Sequence, residues 1–352
     1  MADQIDQYLQ EPTPQHPAPT YALTVAGRDI TPFVDARLIS LTLTEGRENT
    51  ADQLDLELSD HDGLLELPRK EAEIELSIGW VGQLLVDKGS FVVDEVEHTG
   101  APDKVTIRAR AADMGGEIRT RKEKSWSNTT LAAVLADLAK RSKLTHKVDE
   151  RLAKIAIAHI TQTNESDMHF LTRLARKYDA VATVKKKHLL FMPINGTRNS
   201  KGEKLPTIHI TRRDGDQHRW SSSTRDAFDG VKAYWSDSVN GKRKLVVAGK
   251  KEGNTKTLKE TYATEKDALD AAKAERQRIE RGMATFELAL AIGRPEVTAQ
   301  STITVSGFKQ EIDGQDWLVK EVTHTLNDGS GWTTKAQMER GLPLEDVHKG
   351  ST

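Results

Sequence analysis

Residues 91–99 read Phe-Val-Val-Asp-Glu-Val-Glu-His-Thr, and residues 317–325 read Trp-Leu-Val-Lys-Glu-Val-Thr-His-Thr. Five of the nine positions are identical, and an aromatic residue opens both segments. Apolar and polar residues alternate along each segment, which is typical of a β-strand with one buried face. The sequence therefore predicts two copies of one β unit, placed far apart in the chain.

The segments that flank the two copies also match. Residues 74–80 read Ile-Glu-Leu-Ser-Ile-Gly-Trp and correspond to Ile-Thr-Val-Ser-Gly-Phe at 303–308. On the other side of the repeat we align residues 105–111 with residues 332–338. A chain with two such units presents two equivalent surfaces, an arrangement that assemblies need more often than enzymes do.

Length and composition limit the classes of protein that fit. The 352 residues are enough for two or three domains, and 51 basic residues nearly balance 53 acidic ones, so the charge indicates no non-specific nucleic-acid partner. The absence of cysteine excludes disulfides and thiolate chemistry. The acidic N-terminal segment predicts no secretory signal, and no run of eighteen apolar residues predicts a membrane anchor.

Changes in the period of the hydrophobic pattern divide the chain. Residues 1–20 hold four of the eleven prolines and predict an extended arm. Alternating apolar and charged residues over 21–118 predict an antiparallel β-sandwich or small barrel. The same period returns in 207–345, where a loop and helix at about 240–284 interrupt a second unit of this kind. Residues 346–352 are predicted to be a short tail.

Residues 119–206 change to a helical period and predict a small α/β insert. Asn128 or Thr129 is positioned to cap a first helix, and Ser166 to cap a second. Each helix carries one apolar stripe, formed by Leu131, Val134, Leu135, Leu138 and Ala139 in the first and by Phe170, Leu171, Leu174, Ala175 and Tyr178 in the second. The predicted fold is mainly β with α+β insertions.

A search for catalytic, cofactor-binding and metal-ligating residues finds none to assign. The sequence contains no zinc-protease motif and no phosphate-binding glycine loop. His98 and His324 occupy equivalent strand ends, where capping or packing is a commoner role than metal binding. The segments 214–216 and 327–331 lack the ligand spacing of a calcium loop. We therefore predict neither an enzymatic activity nor a cofactor.

Two basic segments raise the question of nucleic-acid binding. Residues 119–124 run towards Trp126, and residues 185–188 follow an apolar strand. Basic and aromatic residues together bind nucleic acid in some proteins. Short runs of charge are more often solvated faces or protection for a sheet edge, so no specific nucleic-acid binding is predicted.

Several segments carry the motifs of a known family. The most specific is the pattern Q-T-x-E-S-D-x-x-F-L-x-R-L-A-x-x-Y, which spans Gln162–Tyr178; the others are Gly89–Val96, Asp103–Asp113 and Lys124–Trp126. Together they resemble the late control D proteins of contractile phage tails and the hub part of type VI secretion spikes. The resemblance covers about residues 21–345 and assigns no catalytic or binding role to the Gln162–Tyr178 motif, whose helix is expected to pack on the barrel.

The resemblance implies a structural hub of a tail baseplate. Each chain of such a hub carries two similar tube-like β-barrel domains, here 21–118 and 207–345, and three chains form a ring of six barrels. The homotrimer would join the six-fold tail tube to a three-fold central spike, which is expected to be a separate chain. Other baseplate proteins and the tape measure protein are further candidate partners. The expected location is the virion or bacteriocin particle, after assembly in the host cytoplasm.

Three questions stay open at this point. The particle could be a phage tail or a phage-derived R-type bacteriocin (tailocin). A tail-associated enzyme that degrades the cell wall would need a carboxylate pair or a metal cluster in a cleft. A DNA-binding regulator of late genes would need a basic face.

Overall fold

The structure, a computed structural model, describes residues 18–47, 52–112, 116–185, 187–194, 206–223, 228–237, 240–327, 329 and 331–342. Most of the predicted arm and all of the predicted tail lie outside these residues. The last two residues that we assigned to the arm, Pro19 and Thr20, instead open the first strand. They pair with Trp80 and Gly79 on a neighbouring strand, so the β unit begins earlier than its hydrophobic pattern indicates.

The first β unit is an antiparallel sheet rolled around one core. Its elements are β1 (Pro19–Val25), β2 (Arg28–Asp29), helix α1 (Thr31–Asp35), β3 (Leu38–Gly46), β4 (Gln53–Ser59), β5 (Glu73–Trp80), β6 (Val86–Thr99) and β7 (Lys104–Ala111). The leucines of β4 are buried, while Asp55 and Glu57 between them point outward. Leu23 of β1 and Leu43 of β3 share this core although their strands are far apart in the sheet.

The α/β insert has a core of its own. It contains a 3-10 turn (Gly116–Arg119), β8 (Arg121–Thr130), α2 (Leu131–Arg141), β9 (Thr145–Val148), α3 (Glu150–Ala153), β10 (Ala156–Ser166), α4 (Asp167–Lys177), β11 (Ala180–Lys185) and β12 (His188–Pro193). Ser166 caps α4 as predicted. The cap of α2 is Thr130 rather than Asn128 or Thr129, because β8 stays extended through Thr130 in its pairing with β10.

The second β unit is interrupted by a separate small sheet and a long helix. The unit comprises β13 (Thr207–Thr211), a 3-10 turn (Arg212–Asp214), β14 (Gly215–Ser222), β18 (Ala284–Leu290), β19 (Thr302–Ser306), α6 (Gln310–Asp313), β20 (Trp317–Asn327) and β21 (Gly331–Arg340). The insertion comprises β15 (Gly230–Asp237), β16 (Lys242–Gly249), β17 (Thr255–Tyr262) and α5 (Glu265–Gly282). The interruption was expected at about residues 240–284, but it begins earlier, because β15 pairs with β16 and β17 around a core formed with α5 and not with the β unit.

The two β units have the same strand order. In the first the neighbours run β3-β4-β7-β6-β5-β1, and in the second β14-β18-β21-β20-β19-β13. Corresponding strands also follow the same order along the chain, with the insertion falling between β14 and β18. One strand differs in direction, since β1 is antiparallel to β5 whereas β13 is parallel to β19. The duplication seen in sequence is therefore a duplicated fold.

β-Bulges mark equivalent positions in the two units. A bulge separates Val93 from Glu95 on β6, and another separates Val319 from Glu321 on β20. Bulges also follow the first paired residue of both β3 and β14. This register corrects our alignment of the strand that follows the repeat. Because His98 pairs with Val105 and His324 with Thr334, the equivalent of Val105 is Thr334 and not Trp332.

The two units share one sheet. Among the described residues, the strands of both units form a single 13-stranded sheet that passes from β20 to β3. Each unit is rolled around its own core, but no strand pairing within the described residues closes either unit into a separate barrel. The expected mainly β fold with α+β insertions is confirmed, and the expected pair of closed barrels is not.

Candidate assembly interface

The junction between the β units is an antiparallel strand pair. The first residues of β20, Trp317 and Leu318, pair with β19. The same edge of β20 then leaves its own unit, and Glu321–Asn327 pairs with Gly46–Ser40 of β3. Arg47 extends the junction by donating its backbone N–H to the carbonyl of Lys320 at 3.0 Å. One long strand thus serves both units, because its two halves have different partners.

A buried ion pair lies at this junction. The Nζ of Lys88 on β6 is 2.7 Å from Oε2 of Glu45 on β3, and the two side chains are 1% and 3% exposed. Burial alone would raise the pKa of Glu45, but contact with His324 and the charge of Lys88 lower it to about 2. Buried charges are stable only when they are paired, so this pair ties β6 to β3 inside the first unit, at the stretch of β3 that pairs with β20.

His324 occupies the centre of the junction. Its ring is 1% exposed, and burial lowers its pKa, which keeps the imidazole neutral at neutral pH. Nδ1 lies 2.9 Å from the hydroxyl of Thr334 and Nε2 lies 3.1 Å from the carbonyl of Val297. A neutral ring satisfies both contacts when Nε2–H donates to Val297 and Nδ1 accepts from Thr334. The equivalent His98 is instead 43% exposed and lies 3.2 Å from Asp60.

Aromatic packing adds to the contact between the units. Trp80 at the end of β5 lies against Trp332 of β21, with ring centroids 4.8 Å apart. Its indole N–H donates to the carbonyl of Gly293 at 3.1 Å. A Cβ added at Gly293 would lie 2.2 Å from the ring of Trp332. Position 293 therefore admits only glycine without a shift of the tryptophan.

The α/β insert is tied to both units by charged side chains. Lys185 was expected to be a solvated lysine on a sheet edge; it lies on the edge strand β11 but reaches Asp52 at 3.3 Å and Glu45 at 3.8 Å. Arg281 of α5 holds the Asp179 carboxylate through two contacts of 2.5 Å. Its Nε also lies 2.7 Å from Glu339 on β21. These contacts orient the insertions against the sheet.

The Gln162–Tyr178 motif builds the core of the insert. Gln162 and Asp167 are fully buried, and the Gln162 amide donates to Asp167 at 2.8 Å. Lys122 also donates to Asp167, at 3.0 Å. Phe170 stacks on Trp126 with centroids 5.2 Å apart. We expected this helix to pack on the barrel, but its apolar face packs within the insert itself, because β10 and β11 lie against it.

The remaining candidate sites have structural explanations. Asp214 accepts from the backbone and hydroxyl of Thr211, so it stabilises a turn. Two basic residues of β8 face carboxylates: Lys122 lies 3.0 Å from Asp167, and Lys124 lies 2.8 Å from Asp137. Among the described residues, no group of three or more histidine, aspartate or glutamate side chains is placed to hold a metal ion. No helix in the same part of the chain is long and apolar enough to cross a bilayer.

A cleft of about 310 Å³ lies between α4 and α5. Its lining includes three arginines, Arg47, Arg176 and Arg278, and no carboxylate from the described residues. Glycoside hydrolysis needs two carboxyl groups that flank the substrate. This cleft therefore offers no support for a cell-wall hydrolase.

Comparison with known proteins agrees with this architecture. Residues 50–330 match the family described as "Phage tail baseplate hub (GPD)". The chain is 40% identical to the probable baseplate hub protein of Escherichia phage 186 and 41% identical to that of Escherichia phage P2, with 94% of both chains covered in each case.

Solved structures of tail proteins share the fold. The 43 kDa tail protein of prophage MuSo2 from Shewanella oneidensis superposes with a TM-score of 0.68 at 15% identity, covering 94% of this chain and 99% of that one. A component of the type VI secretion system of E. coli superposes with a TM-score of 0.55 at 12% identity, covering 94% and 79%. By its family match and its relatives, the chain belongs to the phage tail baseplate hub (GPD) family.

Proposed function

We propose that the protein is the structural hub of a contractile-tail baseplate. The observation that carries this proposal is the duplicated β unit, whose two copies have the same strand order and lie edge to edge in one sheet. A subunit with two equivalent β units is suited to fill two neighbouring positions of a ring. Family membership supports a place in the baseplate, since relatives at 40% and 41% identity are named as probable baseplate hub proteins.

Three copies of the chain would supply six tube-like, barrel-shaped units. Such a ring offers six similar surfaces to the six-fold tail tube on one side. The units are not identical, because the insertion of β15–β17 and α5 interrupts only the second of them. The ring therefore has true three-fold symmetry and only approximate six-fold symmetry, and the three-fold symmetry matches that of the central spike.

The proposed partners follow from this position. They are the tail tube protein, the central spike, neighbouring baseplate proteins and the tape measure protein, in a virion or tailocin particle assembled in the host cytoplasm. The protein acts by binding and not by catalysis. The alternatives are a cell-wall-degrading enzyme or a DNA-binding regulator, and the arginine-lined cleft and the paired basic residues favour neither.

Deletion of the gene tests the function. We expect cells that lack the chain to produce no contractile particles, and the full-length gene supplied in trans to restore them. A tagged chain should co-purify with the tube and spike proteins of the same particle. Intact particles without the chain would contradict the hub. Normal particles that fail only to lyse cells would favour the enzyme, and lost transcription of late genes would favour the regulator.

The type of particle needs a separate observation. A phage and a tailocin would use the same hub, so the chain itself does not distinguish them. Purified particles that contain a capsid and packaged DNA identify a phage tail. Free tails without a capsid identify a tailocin.

A further inference from the structure

We propose that β6 of one copy of this chain pairs with β14 of the next copy, in the register that the chain already uses to pair β20 with β3. Glu95–Thr99 would run antiparallel to Ser223–Arg219 of the neighbour. The partner is thus a second copy of the chain, joined head to tail. The inference rests on the proposed function, because it specifies how the copies of the hub meet.

The edge of β6 is open where the edge of β20 is covered. The two strands are equivalent and carry the same bulge. The first part of each pairs with its own unit, β5 for β6 and β19 for β20. Beyond that point β20 is paired with β3. Among the described residues, no strand pairs with this edge of Glu95–Thr99. An open strand edge is a template for another strand.

The strand β14 also has an open edge, at the other end of the sheet. It pairs with β18 on one side, and its other edge faces no strand in the described part of the chain. Counted from the shared bulge, His218 and Trp220 are the equivalents of Leu41 and Leu43 on β3. Leu41 and Leu43 are 2% and 0% exposed, whereas Trp220 is 38% exposed. All residues from Asp216 to Ser222 are exposed.

The side chains of β6 show the same difference in burial. Val322 and His324 of β20 are 0% and 1% exposed beneath the junction with the first unit. Their equivalents are only partly covered, since Val96 is half-buried and the His98 side chain is 43% exposed. A neighbouring copy seated on β6 would cover these residues as the first unit covers their equivalents.

The two kinds of junction would differ in chemistry. Ser222 stands where β3 has Glu45, so the junction between copies lacks the buried carboxylate that Lys88 contacts within the chain. Outward-facing Glu95 and Glu97 on β6, which share Arg108 of β7, would approach a strand that carries Arg219 and no acid after Asp216. Opposite charges guide such pairing, and the missing ion pair distinguishes the junction between copies from the one within.

Disulfide trapping tests the register, because the natural chain contains no cysteine. Thr323 faces Thr44 in the junction within the chain, and the equivalent pair between copies is Glu97 with Ser221. Directly opposed residues have Cβ atoms about 4.5–5.5 Å apart, which suits a disulfide after a small adjustment. We expect the full chain carrying Glu97→Cys and Ser221→Cys to give cross-linked dimers and trimers on mild oxidation, with no larger species.

Two control variants define the outcomes. Thr323→Cys with Thr44→Cys should cross-link within one chain and migrate as a monomer. Glu97→Cys with Arg219→Cys is two residues out of register and should cross-link far less than Glu97→Cys with Ser221→Cys. A trimer in solution that fails to cross-link at 97 and 221, or that cross-links equally at 97 and 219, would overturn this inference and leave the hub intact. A protein that stays monomeric with its partners present would overturn both.

Discussion

The ammonium of Lys88 on β6 lies 2.7 Å from the carboxylate of Glu45 on β3, and neither side chain is more than 3% exposed. Glu45 belongs to the stretch of β3 that pairs with β20 of the other unit. The ion pair therefore lies beneath the strand pairing that makes two units into one sheet. It holds β6 against the part of β3 that meets the second unit.

Removal of this ion pair should weaken the whole chain. We expect Lys88→Met to lower the free energy of unfolding by about 3–5 kcal/mol, because it leaves a carboxylate buried beside the junction without its main partner. Denaturant unfolding followed by circular dichroism measures the change. Lys104→Met is the matched control, since the contact of Lys104 with Glu57 has the same 2.7 Å length but its side chains are 39% and 32% exposed, and it should cost less than about 1 kcal/mol. Equal losses in the two variants would contradict the role of the junction.

Mild acid should destabilise the protein through His324. Burial holds its folded-state pKa below the ordinary value of 6.5, so the unfolded chain takes up a proton first as the pH falls. Stability is therefore lost progressively below about pH 6.5. Glu45, with its pKa lowered from 4.5 to about 2, adds a further loss below pH 4.5.

The variant His324→Gln isolates the first of these effects. Melting temperatures measured between pH 7 and pH 5 should fall less steeply for His324→Gln than for the natural chain, because the amide does not titrate. An unaltered slope in His324→Gln would show that another group causes the acid sensitivity.

The apolar face of α4 should carry much of the stability of the insert. Phe170 and Leu174 are 0% and 1% exposed, so Phe170→Ala should cost about 3–5 kcal/mol and Leu174→Ala about 2–5 kcal/mol. The exposed His169 on the same helix is the control, and His169→Ala should change stability by less than about 0.5 kcal/mol. Thermal melts of the three variants give the comparison, and a Phe170→Ala melt that matches the natural chain would show that this face is not packed.

Truncation at the N-terminus should show where the fold begins. We expect a chain without residues 1–17 to keep its melting temperature, because β1 begins at Pro19. A chain without residues 1–24 should melt at a much lower temperature, since it loses the buried Tyr21 and Leu23. Any effect of the shorter truncation on particle assembly, with folding intact, would assign the arm a role in contacts between proteins. A large fall in its melting temperature would contradict the prediction.

Local patterns predicted much of the fold. The alternating leucines of β4 and the capping residue Ser166 were sufficient to predict a strand and a helix start, because these signals depend on neighbours in sequence. The repeat of residues 91–99 in 317–325 likewise predicted the duplication. It could not give the register of the next strand, where Val105 matches Thr334, because no residue identities mark that alignment.

The candidate interface depended on contacts that sequence does not encode locally. Glu45, Lys88 and His324 lie on three different strands and contact one another. In the sequence, Glu45 and Lys88 resemble any other charged residue of an alternating strand. Our expectation of two closed barrels also missed that β20 divides its edge between β19 and β3. Histidine at equivalent ends of the two repeats was the only sequence signal near this junction.

The copy number of the chain in the assembled particle decides whether one chain fills two of the six positions in the ring. Native mass spectrometry of the hub released with its spike, or an electron cryomicroscopy map of the baseplate, counts the copies. We expect three chains of 39.1 kDa in each tail. Six chains in each tail would contradict this expectation, because each chain would then fill a single position and the two β units would not be equivalent parts of the ring.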